Sequence, residues 1–267
     1  MVVRTLEDGR SRGDLQAHRA LQLLLQLTLA YCKKYQVTLS AAKTKLLVFS
    51  KSSSDLLTYS KLVNPIQIGD TKIEFATNAE HVGVLRSTSG NMPHILQRII
   101  NHNNTLGGLL SMGLSRRHRA NPLSSLRAET IYASPVLFSG LATLILNKTE
   151  IDSISLHVKE TVQRLLKLHN NTPDPVVFFL AGCLPFQAHL HLRIFSLFGQ
   201  VCRLRDGDNI LAARAKIIFS SANPSTKSWF WNLRKLCIQY QLPHPSEWLS
   251  ARPTKAQVKS MTRSAVL

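Results

Sequence analysis

The run from Asp14 to Ser50 constrains the fold more than any other part of the chain. It opens with a leucine-dense stretch, Leu15 and then Leu21 through Leu29, and continues to Tyr31, Cys32, Lys33, Lys34 and Tyr35. Leu21, Leu24, Leu25, Thr28 and Cys32 recur at steps of three and four, so the spacing predicts one helix with those residues on a shared face. Leu23 and Leu27 are expected to widen that face. Asp14 lies where a helix start favours negative charge, and Lys33-Lys34 where a helix end favours positive charge. Beyond Lys43-Thr44-Lys45, the apolar run Leu46-Leu47-Val48-Phe49 has the length and composition of a strand covered on both faces.

The rest of the chain reads in order from this anchor. Residues 1–13 are polar, contain Gly9 and Gly13, and are expected to be a frayed leader without a strand. Pro65-Ile66-Gln67-Ile68 and Ile73-Glu74-Phe75 flank Gly69-Asp70-Thr71-Lys72, a hairpin signal. His81-Val82-Gly83-Val84-Leu85 reads as a further short strand. Its glycine serves either a close backbone approach or an ordinary strand position. From Asn91 the pattern turns helical. Ile95, Ile99, Leu106, Leu109 and Leu110 support one helix. A second starts near Pro122 and is kinked or broken at Pro135. A third, 151–168, carries the stripe Ile154, Val158, Val162, Leu165 and Leu166. The stretch 250–267 is basic and poor in large apolar residues, and is expected to be disordered.

Two of these stretches carry a family likeness. The run "DLQ…LLLQLTLAYCKKYQVTLSAAKTKLLVFSK" resembles the end of the palm in reverse transcriptases of non-LTR retrotransposons. The runs "EHVGVLRSTSGNMPHILQRI" and "LRAETIYASPVLFSGLATLIL" resemble their thumb, and "TPDPVVFFLAGCLPFQAHLHLRIFSLFGQVCRL" the helical segment after it. The resemblance implies an α+β, helix-dominated fold. The expected layout is a leader (1–13), a partial palm with few strands (14–86), a helical thumb (87–172), a helical connector (173–249) and a tail (250–267). It also implies phosphate-proximal roles for Lys43 and Lys45, and a primer-grip-like role for Val82, Gly83 and Val84, where only the Gly-Val core of the family element is kept.

The family's two-metal chemistry needs clustered carboxylates, because two divalent ions must sit a few ångströms apart over the reacting phosphate. The 15 acidic residues here are scattered and include no Asp-Asp pair. The place of the family's metal-binding turn is taken by Val2-Val3-Arg4-Thr5-Leu6-Glu7-Asp8-Gly9-Arg10. The expectation is a remnant truncated downstream of the catalytic centre, with no catalytic residue and no cofactor of its own, although the intact family enzymes use Mg²⁺. Cys183, His189, His191 and Cys202 share one segment but lack zinc-ligand spacing.

The charge balance sets the functional class. Lys and Arg number 33 against 15 Asp and Glu, a net of +18, and residues 201–267 alone hold 11 basic and 3 acidic side chains. Such a surplus draws polyanions. Candidate backbone contacts are Arg116, Arg117 and Arg119 of a basic knot, which could equally be a solvated loop and which is short for an import signal. Arg203 and Arg205 form a second set. Lys227, Arg234 and Lys235 surround Trp229-Phe230-Trp231, whose rings either stack bases or anchor a helix. The expected partner is RNA or DNA with low sequence specificity. Four widely spaced cysteines, the lack of a secretory signal and the lack of a membrane-length apolar window point to an intracellular chain, in nucleus or cytoplasm, that uses no membrane. The competing reading is a helical protein-interaction module.

Overall fold

The computed structural model describes residues 2–3, 11–40, 44–48, 67–68, 71–81, 83–114, 121–204, 210–220 and 228–266. The fold is α+β with helices dominant, and it divides into two compact units, 1–94 and 95–267.

In the first unit, α1 (Ser11–Lys34) packs against short strands. Leu21 and Leu25 are buried with Leu46 and Ile73, and Leu29, Leu39, Ile68 and Phe75 close over them. Leu23, Leu24 and Leu27, expected on the packed side, are each more than half exposed. The strands therefore cover one narrow ridge of α1, not a broad face. Strand β1 (Val2–Val3) pairs in parallel with β2 (Leu47–Val48), so the leader does hold a strand. Its last residues, from Ser11, already belong to α1. A parallel bridge joins Leu46 to Phe75. Strands β3 (Gln67–Ile68) and β4 (Thr71–Lys72) form the expected hairpin, with Thr71 and Lys72 inside the ladder.

The expected strand 81–85 is instead the tip of a second hairpin. Strands β5 (Asn78–His81) and β6 (Val84–Ser87) pair with His81 opposite Val84. Gly83 sits in the connection at φ +71°. That left-handed backbone is where a glycine is favoured, so the residue serves a reversal and not a continuous strand. Helix α2 (Met92–Leu109) begins within this unit, where the amide of Leu85 donates to Nδ1 of the fully buried His94.

In the second unit, α2 is followed by α3 over 122–138, assembled from Pro122–Ala128, the π-helical turn Glu129–Ala133 and Ser134–Phe138. Pro135 does not end the helical path, which runs on to Phe138. The amide of Ser134 reaches the carbonyl of Glu129, one residue farther than in an α-helix. That wider turn makes room for a ring that would otherwise strike the preceding carbonyls. Helix α4 (Lys148–Leu166) begins three residues before the predicted start, because Asn147 and Glu150 exchange reciprocal capping bonds of 2.9 and 2.8 Å. The side chains of Leu106, Leu126, Ala133, Val162, Leu165 and Val177 interlock as one core between α2, α3, α4 and α5 (Asp174–Ala181).

Helix α6 (Phe186–Arg203) carries an aromatic core. Phe186, Phe195 and Phe198 are fully buried, and Trp248 packs on the last two. Helices α7 (Ile210–Ser220), α8 (Trp229–Gln239) and α9 (Pro245–Ala251) gather around it. The indole of Trp229 donates to the carbonyl of Ala142 at 2.7 Å and Trp231 is buried, so these tryptophans anchor α8.

The expected disorder of 250–267 is overturned. Lys255–Val266 is a helix, α10, seated on α6 through buried Val258 and Thr262. It starts in a capping box, with the Thr254 amide donating to Gln257 and the Gln257 amide to Thr254. The seat is a notch. A methyl group added at Gly199 of α6 would lie 2.9 Å from Val258 Cγ2.

Candidate nucleic-acid interface

The seating of α10 on α6 builds a concave cationic wall. In Lys255–Val266 the charged residues are Lys255, Lys259 and Arg263, four apart and therefore on one face, and the helix contains no acid. Like charges at that spacing repel and weaken a helix, so local helix stability does not account for the arrangement. Across from them stand Arg193 and Arg203 of α6. The five cations line a cavity of 200 Å³ with His189, Leu192, Ser196, Val258 and Thr262, and no acidic residue lines it among those described.

Each α6 arginine is held in place. Arg203 Nη1 donates to the carbonyl of Pro253 at 3.2 Å, fixing the turn that launches α10. The Arg193 guanidinium lies over the Phe138 ring at 4.4 Å, and its Nε is buried without a hydrogen-bond partner among the described residues. Burial pulls the Arg193 pKa below its ordinary value. Burial first, then the neighbouring Arg193, likewise lowers His189, so this imidazole is neutral at pH 7 and adds no further charge.

A second cavity, of 820 Å³, adjoins the first and shares His189, Leu192 and Arg263 with it. Its lining is mainly apolar and aromatic, including Phe138, Phe178, Phe179 and Phe186, with the Glu129 carboxylate and the hydroxyls of Thr130 and Ser134 also on it. Phe178 is buried, whereas its neighbour Phe179 is 83% exposed.

The Glu129 carboxylate on that lining belongs to a buried polar chain that joins α2, α3 and α4. His102 Nε2 lies 3.1 Å from Glu129 Oε1, and His102 Nδ1 lies 3.0 Å from His157 Nε2. A neutral His102 that donates to the carboxylate accepts at Nδ1 from His157 Nε2–H, which leaves Nδ1 of His157 unprotonated; a charged His102 donates at both nitrogens, and His157 Nε2 then accepts. Burial, aided by His102 and Arg164, pushes the His157 pKa down to about 4. His157 borders a polar groove with Lys159, Arg164, Lys167, Asn103 and Asn170. Nearby, Gln163 donates to the carbonyls of His169, Asn170 and Thr172, holding the loop after α4. No group of three His, Cys, Asp or Glu side chains with metal-binding geometry occurs among the described residues.

The residues singled out in the sequence are distributed differently. Lys43, Val82, Arg116, Arg117, Arg119, Arg205 and Lys227 lie outside the described residues. Lys45 is exposed in the first unit, and Gly83 and Val84 belong to the β5–β6 hairpin. Arg203 lines the cationic cavity. Arg234 lies on α8 with its guanidinium 4.7 Å from the Trp231 ring, and Lys235 is solvated. Arg193, Lys255, Lys259 and Arg263 were not singled out, though the four-residue spacing on α10 was visible. His189 and His191 diverge, one onto the Phe138 ring and the other bonded to Tyr240 at 2.8 Å. The cysteines are unbonded, with Cys202 and Cys237 buried and Cys32 and Cys183 half-buried. Burial raises the thiol pKa of Cys202 and Cys237 to about 12, so both stay protonated and unreactive. No single helix among the described residues is long and apolar enough to cross a membrane.

No protein-family model matches the chain, and no curated protein or solved structure is detectably similar to it.

Proposed function

We propose that the chain binds RNA or DNA without sequence preference, as a helical module derived from the thumb and post-thumb region of a non-LTR reverse transcriptase, and performs no polymerisation itself. The observation that carries this reading is the acid-free cavity of Arg193, Arg203, Lys255, Lys259 and Arg263. Concentrated fixed cations attract phosphates and release their counterions, a driving force that ignores base sequence. Arginine adds planar paired donors suited to phosphate oxygens.

The test is a titration of a labelled RNA at rising KCl. Four cations with donors to spare, Arg193, Lys255, Lys259 and Arg263, set a log–log slope of about −3 for a single strand. Replacing Lys259 and Arg263 by Gln should reduce that slope by about half. A binding constant indifferent to salt, or no binding at low salt, would sink the proposal. A second reading, a protein-interaction module, is favoured by the exposed row Leu23, Leu24, Leu27 and Tyr31 on α1 with Tyr35 just beyond its end. Salt-independent association through α1 would support it.

A further inference from the structure

We propose that the two adjoining cavities together accept one nucleotide of a single strand, its phosphate against the cations and its base against the aromatic lining; this rests on the nucleic-acid reading above. Phosphate attraction alone needs only the cationic wall. It gives no reason for an aromatic cavity to open beside it, with Arg263 and His189 common to both. At 820 Å³ the aromatic cavity falls within the range of small-molecule pockets, roughly 300–1,000 Å³. Phe179 presents its ring to solvent at 83% exposure while the adjacent Phe178 fills the core. A large ring left in water offers a face on which a base can stack, and Arg263 lines the same cavity. Arg193 links the halves, since its charge faces the cationic cavity while its plane rests on Phe138 of the aromatic one.

Strandedness follows from the same geometry. A duplex keeps its bases stacked inside and offers only their edges in the grooves. A base can therefore lie flat on the Phe179 ring with its phosphate against the neighbouring cations only when it is already unpaired and free to splay. Sequence tolerance is retained, because every base has a π face.

The experiment uses the full chain and three labelled ligands of about a dozen nucleotides: an oligouridylate, a duplex, and an abasic strand with the same phosphates. At constant salt the oligouridylate should bind tightest, with the duplex and abasic strand weaker by similar factors. Phe179→Ala should weaken oligouridylate binding by about five- to a hundredfold, leave the other two unchanged, and be rescued by Phe179→Trp. Because Phe179 is exposed, its removal should leave the melt unchanged, and an altered melt moves the test to Phe179→Trp alone, where weakened binding overturns the inference. Equal binding of abasic and base-bearing strands also overturns it while leaving the polyanion reading intact. Failure of all three ligands to bind overturns both.

Discussion

Acidification should destabilise the protein well before its carboxylates protonate. His157 and His191 are both held near pKa 4, His157 by burial with help from His102 and Arg164, His191 by burial alone. Unfolding returns each to the ordinary value of about 6.5. Between those values the unfolded chain binds more protons than the folded one. The stability tied to these neutral rings is thus fully present above pH 6.5 and is lost as pH falls toward 4. For deeply buried His191 the loss from pH 7 to pH 5 is about 2 kcal/mol. For His157, part of which meets water, screening reduces it to about 1 kcal/mol. A combined loss of about 3 kcal/mol is a large share of a typical margin of about 5–15 kcal/mol. Urea unfolding at steps from pH 7.5 to 5 reads it directly, provided the m-value stays constant. His191→Asn keeps an acceptor for the Tyr240 hydroxyl but cannot titrate, and it should flatten the profile by about the larger share. A wild-type midpoint that does not move over this interval would show that the rings are already protonated, or already solvated, in the folded state.

Three further outcomes are open to measurement. Gly199→Ala should destabilise by about 1–3 kcal/mol despite the better helix propensity of alanine, because its methyl meets Val258, and Val258→Ala in the same chain should recover much of the loss in chemical denaturation. His102→Leu should cost about 3–5 kcal/mol by stranding the buried Glu129 carboxylate, and adding Glu129→Leu should restore most of it, with a double-mutant cycle as the check. Gln163→Leu should cost about 1–3 kcal/mol and speed hydrogen exchange in residues 169–172, whose carbonyls it binds.

The parts of the fold legible in the sequence were those written as local periodicity. Helix α1 was plain from its length. Its buried ridge was not, since leucine on nearly every side of 21–29 leaves no polar face to orient it, and only the narrow strands decide that Leu21 and Leu25 go in. The β3–β4 hairpin announced itself through Gly69-Asp70. The β5–β6 hairpin did not, because Val82 and Val84 around Gly83 imitate strand alternation and the left-handed backbone of Gly83 is invisible in a one-letter code. For α10, basicity outweighed two local signals, the Thr254–Gln257 box and the Val258–Thr262 pair. The His102–Glu129–His157 chain joins residues up to 55 positions apart, and no spacing rule could assemble it. The cationic cavity lay between these cases, since half of it was a readable stripe and the other half depended on which helix the stripe faced.

The notch at Gly199 would tie the proposed ligand capture to integrity. One wall of the charged crevice is a single docked helix whose own ammonium and guanidinium groups push against each other. An anion lodged there would cancel that push and clasp the helix to its seat in the same act. A bound strand would therefore raise the melting temperature as ligand concentration climbs. Salt would oppose that gain by competing for the strand and assist the empty protein by damping its internal repulsion.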